Sequence, residues 1–128
     1  MTVLDASVLI AAMTPADAHH QAAVSLLVTA DSEDVRLIHS VNLAEVLVGQ
    51  VRFGLEESAA LEIAAAGVET VATDAQTPMR LARLRSATRL SLPDCCVLDV
   101  AIVTGYPVAT FDDRLARAAT SLGIPLAA

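Results

Sequence analysis

Short apolar segments alternate with helical patterns along the chain, and neither a repeat nor a linker interrupts the alternation. Strands are predicted at 2–4, 35–39, 68–72 and 107–109, with a last short strand at 123–126. A helical pattern follows each of the first four strands, and this order is typical of a mainly parallel sheet covered by helices on both faces. Since 128 residues suit one domain, the sequence predicts a single α/β domain over 1–128.

Capping residues mark the predicted helix starts. Four starts pair a hydroxyl or amide side chain with an acid three residues later, and these pairs are Thr14/Asp17, Asn42/Glu45, Ser91/Asp94 and Thr110/Asp113. The four helices are predicted to run to about 30, to Gly54, to Gly105 and towards the C-terminus, and others are predicted at 7–13, 56–66 and 74–90. A first-turn acid stabilises a helix by ~0.3–1 kcal/mol through the helix dipole, so capping explains each acid taken singly.

Capping does not explain why acids gather at one edge of the sheet. Asp5 ends the first strand, Glu45 lies in the first turn of the helix after the second, and Asp112 begins the helix after 107–109. Ligand sites of parallel sheets lie beyond the carboxyl ends of the strands, so these acids point at one edge, although spacing alone does not decide whether Asp94 reaches it. Grouped carboxylates repel unless a divalent cation compensates them, and oxygen ligands favour Mg²⁺ or Mn²⁺.

The distribution of charge limits the partners that the chain can bind. The formal net charge is −7 and lysine is absent, which argues against binding nucleic acid by bulk electrostatics. However, residues 1–79 hold two arginines and eleven acids, whereas residues 80–117 hold six arginines and four aspartates. These six arginines are either solvated residues with local ion pairs or a phosphate-binding track. The candidate substrate-binding residues are Arg80, Arg83, Arg85, Arg89, Arg114 and Arg117.

Composition excludes several classes of protein. Three aromatic residues are too few for the base-stacking platforms of RNA-binding sheets and single-strand grooves. The adjacent Cys95 and Cys96 are expected to be buried apolar residues, and His19, His20 and His39 are expected at the surface or locally bonded. No uncharged stretch exceeds 13 residues, so no membrane span is expected. The N-terminus lacks a signal-peptide pattern, and we expect a cytoplasmic protein.

Four segments stand in a particular order along the chain. They are VLDASVLI at 3–10, VNLAEVL at 41–47, LSLPDCCVLDVA at 90–101 and ATFDDRLARAA at 109–119. Together they resemble the PIN-domain ribonuclease toxins of VapBC toxin–antitoxin modules. Each segment is weak by itself, but the similarity spans nearly the whole chain.

The resemblance implies a PIN-like three-layer α/β/α sandwich that acts as a Mg²⁺- or Mn²⁺-dependent endoribonuclease. Asp5 and Asp94 match the principal metal ligands of the family. Glu45 matches its helix-borne acid, and Asp112 matches the fourth acid of its T-x-D motif. These four acids would be catalytic, and the hypothesis is hydrolysis of an RNA phosphodiester by metal-activated water. The supporting groups that steady the carboxylates or the water would be Ser7, Asn42 (unless it caps its helix) and Thr110.

Two aspartates depart from the family pattern or duplicate it. Asp99 stands where the family has a small apolar residue, and five helical residues turn through about 500°, which leaves Asp99 about 140° from Asp94. We therefore expect Asp99 to pair with an arginine or a backbone amide rather than to share a metal ion with Asp94. Asp113 is explained by capping, although an exchange of roles with Asp112 stays open.

The apolar composition predicts an interface. A hydrophobic fraction of 55% is more than one small core can bury, so apolar surface is expected to stay exposed. Self-association into a homodimer or a higher toxin–antitoxin assembly is one way to cover that surface. The resemblance implies another, a cognate antitoxin whose tail covers the groove. One rival reading is a PIN domain that binds or matures RNA without toxicity. The other is a phosphoacceptor receiver domain, which would need a lysine that this chain lacks.

Overall fold

A computed structural model of the chain describes residues 1–28 and 34–127. Within these residues the strands are β1 (Thr2–Leu4), β2 (Arg36–His39), β3 (Val68–Val71) and β4 (Val108–Ala109). The helices are α1 (Ala6–Met13), α2 (His20–Val28), α3 (Ser40–Val51), α4 (Glu56–Ala65), α5 (Thr77–Thr88), α6 (Leu92–Thr104) and α7 (Asp113–Ser121).

The strands form one parallel sheet in the order β3-β2-β1-β4. β1 therefore lies inside the sheet, where Val3 stands opposite both Leu37 of β2 and Val108 of β4. The strand predicted at 123–126 is reduced to a single parallel bridge between Val108 and Leu126. The predicted parallel α/β sheet is confirmed.

Two apolar cores cover the opposite faces of this sheet. Successive side chains of a strand point to opposite faces, and β1 shows this directly. Val3 packs in one core with Leu98 of α6 and Leu115 of α7, whereas Leu4 packs in the other with Val46 of α3. Helices on both faces make the three-layer α/β/α arrangement that the resemblance implied.

Helix α6 is buried along most of its length, as its apolar sequence predicts. Its start is the predicted one, because the Ser91 hydroxyl accepts a hydrogen bond from the backbone N–H of Asp94. Cys95 and Cys96 are free buried thiols, and burial raises the pKa of Cys96 to about 11. In the part of the chain that the structure describes, no helix is both long enough and apolar enough to cross a membrane.

The predicted cap at Thr14 is wrong, because α2 begins later than its capping pattern suggests. The backbone N–H of Thr14 instead bonds to the carbonyl of Ala11 and closes α1. The acid of the pattern, Asp17, accepts a hydrogen bond from the backbone N–H of His19, and α2 starts at His20. Pro15 restricts Thr14 to extended backbone, so a turn separates the two helices.

The predicted caps at Asn42 and Thr110 are also wrong. His39 caps α3, since its Nδ1 atom accepts from the backbone N–H of Val41, and the helix therefore starts before Asn42. Asp112 caps α7 by accepting from the backbone N–H groups of Arg114 and Leu115. Both corrections have one consequence, which is that the side chains of Asn42 and Thr110 are available for contacts elsewhere.

Candidate active site

Asp5 stands directly after β1 at the carboxyl edge of the sheet, and only 7% of its surface is exposed. The hydroxyls of Ser7 and Thr110 each donate a hydrogen bond of 2.7 Å to its Oδ2 atom. Ser7 lies in the first turn of α1, whereas Thr110 follows β4. Two short bonds to one oxygen fix the orientation of the carboxylate, and among the described residues Oδ1 is left without a donor.

The two hydroxyls are themselves held by the backbone of one short segment. Ser7 Oγ accepts from the N–H of Phe111 at 3.1 Å, and Thr110 Oγ1 accepts from the N–H of Asp112 at 3.0 Å. Because each hydroxyl oxygen accepts a backbone proton, its own proton is directed at Asp5. The segment that follows β4 therefore holds Asp5 and places Asp112 beside it.

Asp94 completes a group of three interacting charges. It is half-buried in the first turn of α6, and burial raises the pKa of its carboxyl. The negative charges of Asp5 and Asp112 raise that pKa further, while the Ser91 hydroxyl and the nearby Arg114 oppose the shift. These interactions between charges indicate that Asp94 lies near Asp5 and Asp112, which sequence spacing left undecided.

Glu45 joins the group through Asn42, which is fully buried inside α3. The Asn42 amide donates to Glu45 Oε1 at 3.3 Å and to the carbonyl of Pro93 at 2.9 Å. Pro93 precedes Asp94, so one amide connects the helix that carries Glu45 with the helix that carries Asp94. The Oδ1 atom of Asn42 is buried without a hydrogen-bond partner in the described residues.

The family model of the PIN domain matches residues 2–121, nearly the whole chain. The chain belongs to the PIN domain family. PIN domains are nucleases, so membership of the family supports hydrolysis of nucleic acid as the activity of this chain.

Three solved structures show how widely this PIN domain fold is shared. VapC20 of Mycobacterium tuberculosis, a toxin that cleaves the sarcin–ricin loop, matches with a TM-score of 0.77 at 18% identity, over 92% of this chain and 95% of that one. VapBC2 of Rickettsia felis, bound to a DNA fragment from its promoter, matches with a TM-score of 0.70 at 17% identity, over 98% of this chain and 96% of that one. FitAcB of Neisseria gonorrhoeae matches with a TM-score of 0.70 at 20% identity, also over 98% of this chain and 96% of that one. No curated protein matches the chain.

The acids of this PIN domain do not form a closed metal cage. Among residues 1–28 and 34–127, no three His, Cys, Asp or Glu side chains approach closely enough to hold one ion between them. Asp5 and Asp112 act on Asp94 through their charges, and Asn42 ties Glu45 to the backbone at the start of α6. The site is therefore an open acidic edge.

Asp99 pairs with an arginine, which is one of the two kinds of partner that the sequence predicts. Arg80 of α5 donates to it twice, from Nε to Oδ1 at 2.7 Å and from Nη2 to Oδ2 at 3.3 Å. The same guanidinium reaches Asp74, which lies just before α5 because that helix starts at Thr77 rather than at 74. Asp99 is thus a structural residue of the core and takes no part in the acidic edge.

Several arginines of the predicted track already have intramolecular contacts. Arg80 is held by its aspartates, Arg85 donates to the carbonyls of Arg89 and Leu90 at the end of α5, and Arg83 contacts the sulfur of Met79. Arg114 differs from these because it acts electrostatically on Asp94. It is exposed in the first turn of α7, beside the acids.

A pair of stacked rings borders the site. The imidazole of His19 lies on the ring of Phe111 with a centroid distance of 4.5 Å and an interplanar angle of 8°. Neither residue was singled out from the sequence, since His19 carries no motif and Phe111 is the variable position of T-x-D. The only local signal is that Phe111 stands between two predicted site residues.

Proposed function

We propose that this PIN domain is a Mg²⁺- or Mn²⁺-dependent endoribonuclease and the toxin of a type II toxin–antitoxin module. The observation that carries the proposal is the buried carboxylate of Asp5, held by two hydroxyls beside the charges of Asp94 and Asp112. Family membership supports a nuclease, and the likeness to the toxin VapC20 supports RNA as the substrate.

The donors at the site fit a hard divalent cation. They are oxygens, which Mg²⁺ and Mn²⁺ prefer, and a cation would relieve the repulsion by Asp5 and Asp112, which adds to the effect of burial in raising the pKa of Asp94. Mg²⁺ commonly keeps several waters and binds through one or two carboxylates and the substrate phosphates. This mode of coordination suits an edge where no three acidic side chains converge among the described residues. When bound, the ion would supply Lewis acidity that acidifies water and offsets phosphate charge.

We assign the roles of the residues from their contacts. Asp5 and Asp94 would hold the ion, with Asp112 and Glu45 as the further acids of the edge. Three residues would position these acids: Ser7 and Thr110 orient Asp5, and Asn42 ties Glu45 to α6. Because water is the nucleophile in the proposed hydrolysis, no side chain has to form a covalent intermediate.

Arg114→Ala is expected to weaken RNA binding and to reduce its salt dependence. A single phosphate contact on single-stranded RNA contributes a slope of about −0.7 to log K against log salt, so the slope should become shallower by about that amount. The measurement is KM for RNA cleavage across a salt series. Arg83→Ala is the matched control, because Arg83 is also exposed on a helix but its guanidinium contacts the sulfur of Met79. Equal slopes in Arg114→Ala and wild type would remove Arg114 from the site.

Asp94→Asn is expected to raise Tm by a few degrees at neutral pH in the absence of divalent ions. Burial and two like charges raise the pKa of Asp94 in the folded state, so its ionised form destabilises the fold at neutral pH. The difference between variant and wild type should shrink as pH falls through the folded pKa and vanish below the unfolded value. Thermal melts across pH test this, and an unchanged Tm difference at every pH would contradict it.

The same melts test metal binding. A divalent ion at ten times its Kd stabilises the state that binds it by about 1.4 kcal/mol. Mg²⁺ or Mn²⁺ should therefore raise the Tm of wild type and leave that of Asp94→Asn nearly unchanged. An equal rise in both proteins would indicate that the ion binds elsewhere.

An antitoxin is the partner that we propose, with a tail that covers the acidic edge. Apolar surface outside that edge supports assembly, because several large side chains at the end of α3, in the following turn and on α4 are more than half exposed. These residues are Val48, Val51, Phe53 and Leu61. They would serve a homodimer or a higher toxin–antitoxin assembly.

Expression in a bacterial host tests the toxin assignment. We expect growth arrest on induction, and relief on co-expression of a small protein encoded upstream of this chain. Mapping the 5′ ends of RNA fragments after induction would identify the cleaved bond. Cleavage of RNA without growth arrest would support the alternative, a PIN nuclease that processes RNA without toxicity.

A further inference from the structure

The stacked pair of His19 and Phe111 is fixed to the acidic edge. The backbone N–H of Phe111 bonds to Ser7 Oγ, and the same hydroxyl donates to Asp5. His19 is held in turn by Asp17, whose Oδ1 atom accepts from the His19 N–H at 2.8 Å and lies 3.8 Å from Nδ1. Hydrogen bonds through Ser7 therefore tie the backbone of Phe111 to Asp5, and stacking places the His19 ring on Phe111.

A cavity of about 380 Å³ connects the rings with the acids. His19, Phe111 and Ile10 form part of its wall, and Ser7 and Asp112 of the acidic edge line it as well. This volume falls in the range of small-molecule sites, which is about 300–1,000 Å³. A strand whose phosphate lies at a divalent cation held by the acidic edge would therefore bring a neighbouring group into this cavity.

The chemistry of the cavity favours a nucleobase over a phosphate as that group. Asp17 and Asp112 both line it, and their charges repel an anion. The imidazole of His19 is more than half exposed while it stacks on Phe111, so part of its ring remains accessible to a further planar group. Stacking on aromatic side chains is the general way in which proteins hold the bases of single strands.

We infer that a base of the RNA, next to the phosphodiester that is cut, stacks on the His19–Phe111 pair in this cavity. The inference rests on the proposed ribonuclease function and adds a substrate-positioning residue to it. It differs from the multi-aromatic platforms that the composition excludes, since it needs one ring pair and one base.

His19→Ala is the test variant, because His19 is exposed, whereas Phe111 also packs against a core. The substrate is a short single-stranded RNA that contains the mapped cleavage site. We expect KM to rise by about tenfold with kcat nearly unchanged, as loss of one stacked base implies. His19→Phe should restore the wild-type KM, since it keeps a planar ring. Ile102→Ala is the control, because Ile102 is an exposed apolar side chain of α6 that does not line this cavity, and its loss should leave KM unchanged.

Abasic RNA makes the test specific to a base. Removal of one base beside the cleavage site should raise KM of the wild-type enzyme to a similar extent and should have no further effect in His19→Ala. Additive effects of the two changes would overturn the inference. So would normal cleavage by His19→Ala together with weaker inhibition by the antitoxin, because the ring pair would then be an antitoxin contact. Failure of the wild-type enzyme to cleave RNA would refute the proposed function itself, which is a separate outcome.

Discussion

Asp5→Asn is expected to lower the rate of RNA cleavage by about a thousandfold while the protein stays folded. The Lewis acidity of a bound ion is worth several kcal/mol in the transition state, and a neutral amide at the centre of the site would forfeit most of it. Asparagine matches aspartate in shape, and its Oδ1 atom can accept the same bonds from Ser7 and Thr110. Cleavage under single-turnover conditions in Mg²⁺ or Mn²⁺ measures the effect, and thermal melts verify folding.

Asp113→Asn is the matched control for this variant. Asp113 also lies on the segment after β4 and loses the same charge, but it occupies the first turn of α7, where Asp112 supplies the cap. We expect cleavage by Asp113→Asn to stay within severalfold of wild type. Undiminished cleavage by Asp5→Asn would remove the basis of the proposed site. A loss of activity in Asp113→Asn but not in Asp112→Asn would instead show that these two neighbours have exchanged roles.

Arg80→Ala is expected to cause the largest loss of stability among the arginine variants. Asp99 is 4% exposed in an otherwise apolar stretch of α6, and Arg80 is the cation that holds its carboxylate through two hydrogen bonds. Removal of one partner leaves a buried charge uncompensated, which costs far more than loss of an exposed ion pair. Tm should therefore fall by several degrees in Arg80→Ala and by much less in Arg83→Ala.

A double variant separates the loss of the ion pair from the loss of packing. Arg80→Met combined with Asp99→Leu removes both charges and keeps apolar volume, and such exchanges are often neutral or stabilising. We expect its Tm to return towards that of wild type, with RNA cleavage retained. If Arg80→Ala and Arg83→Ala melt at the same temperature, the pair contributes nothing to stability.

The sheet and its edge were predictable because both follow from repeating local patterns. Alternating strands and helices led to a parallel sheet, and the rule that sites lie beyond its carboxyl ends brought Asp5 and Asp112 to one edge. The position of Asp94 could not be predicted from this rule, because α6 follows another helix, α5, rather than a strand. Its place depends on the packing of α6 across the sheet, which sequence spacing does not encode.

The wrongly predicted caps show that a local sequence pattern can also predict a contact that the fold does not form. Asn42 and Glu45 have the spacing of a capping box, but the imidazole of His39 occupies the cap position first. The Asn42 amide then bonds to the carbonyl of Pro93, which is 51 residues away. Asp99 is a similar case, since its need for an arginine or backbone-amide partner was predictable, but the packing of α5 on α6 decides that the partner is Arg80.

The bond between Thr110 and Asp5 joins residues that are 105 positions apart. During synthesis, a ribosome that has released β1 and α1 still has most of the chain to translate before Thr110 emerges. Until then Asp5 lacks one of its two hydroxyl donors, and Asp112 does not yet exist. A nascent chain therefore lacks the complete group of proposed site residues until the segment that follows β4 has been synthesised.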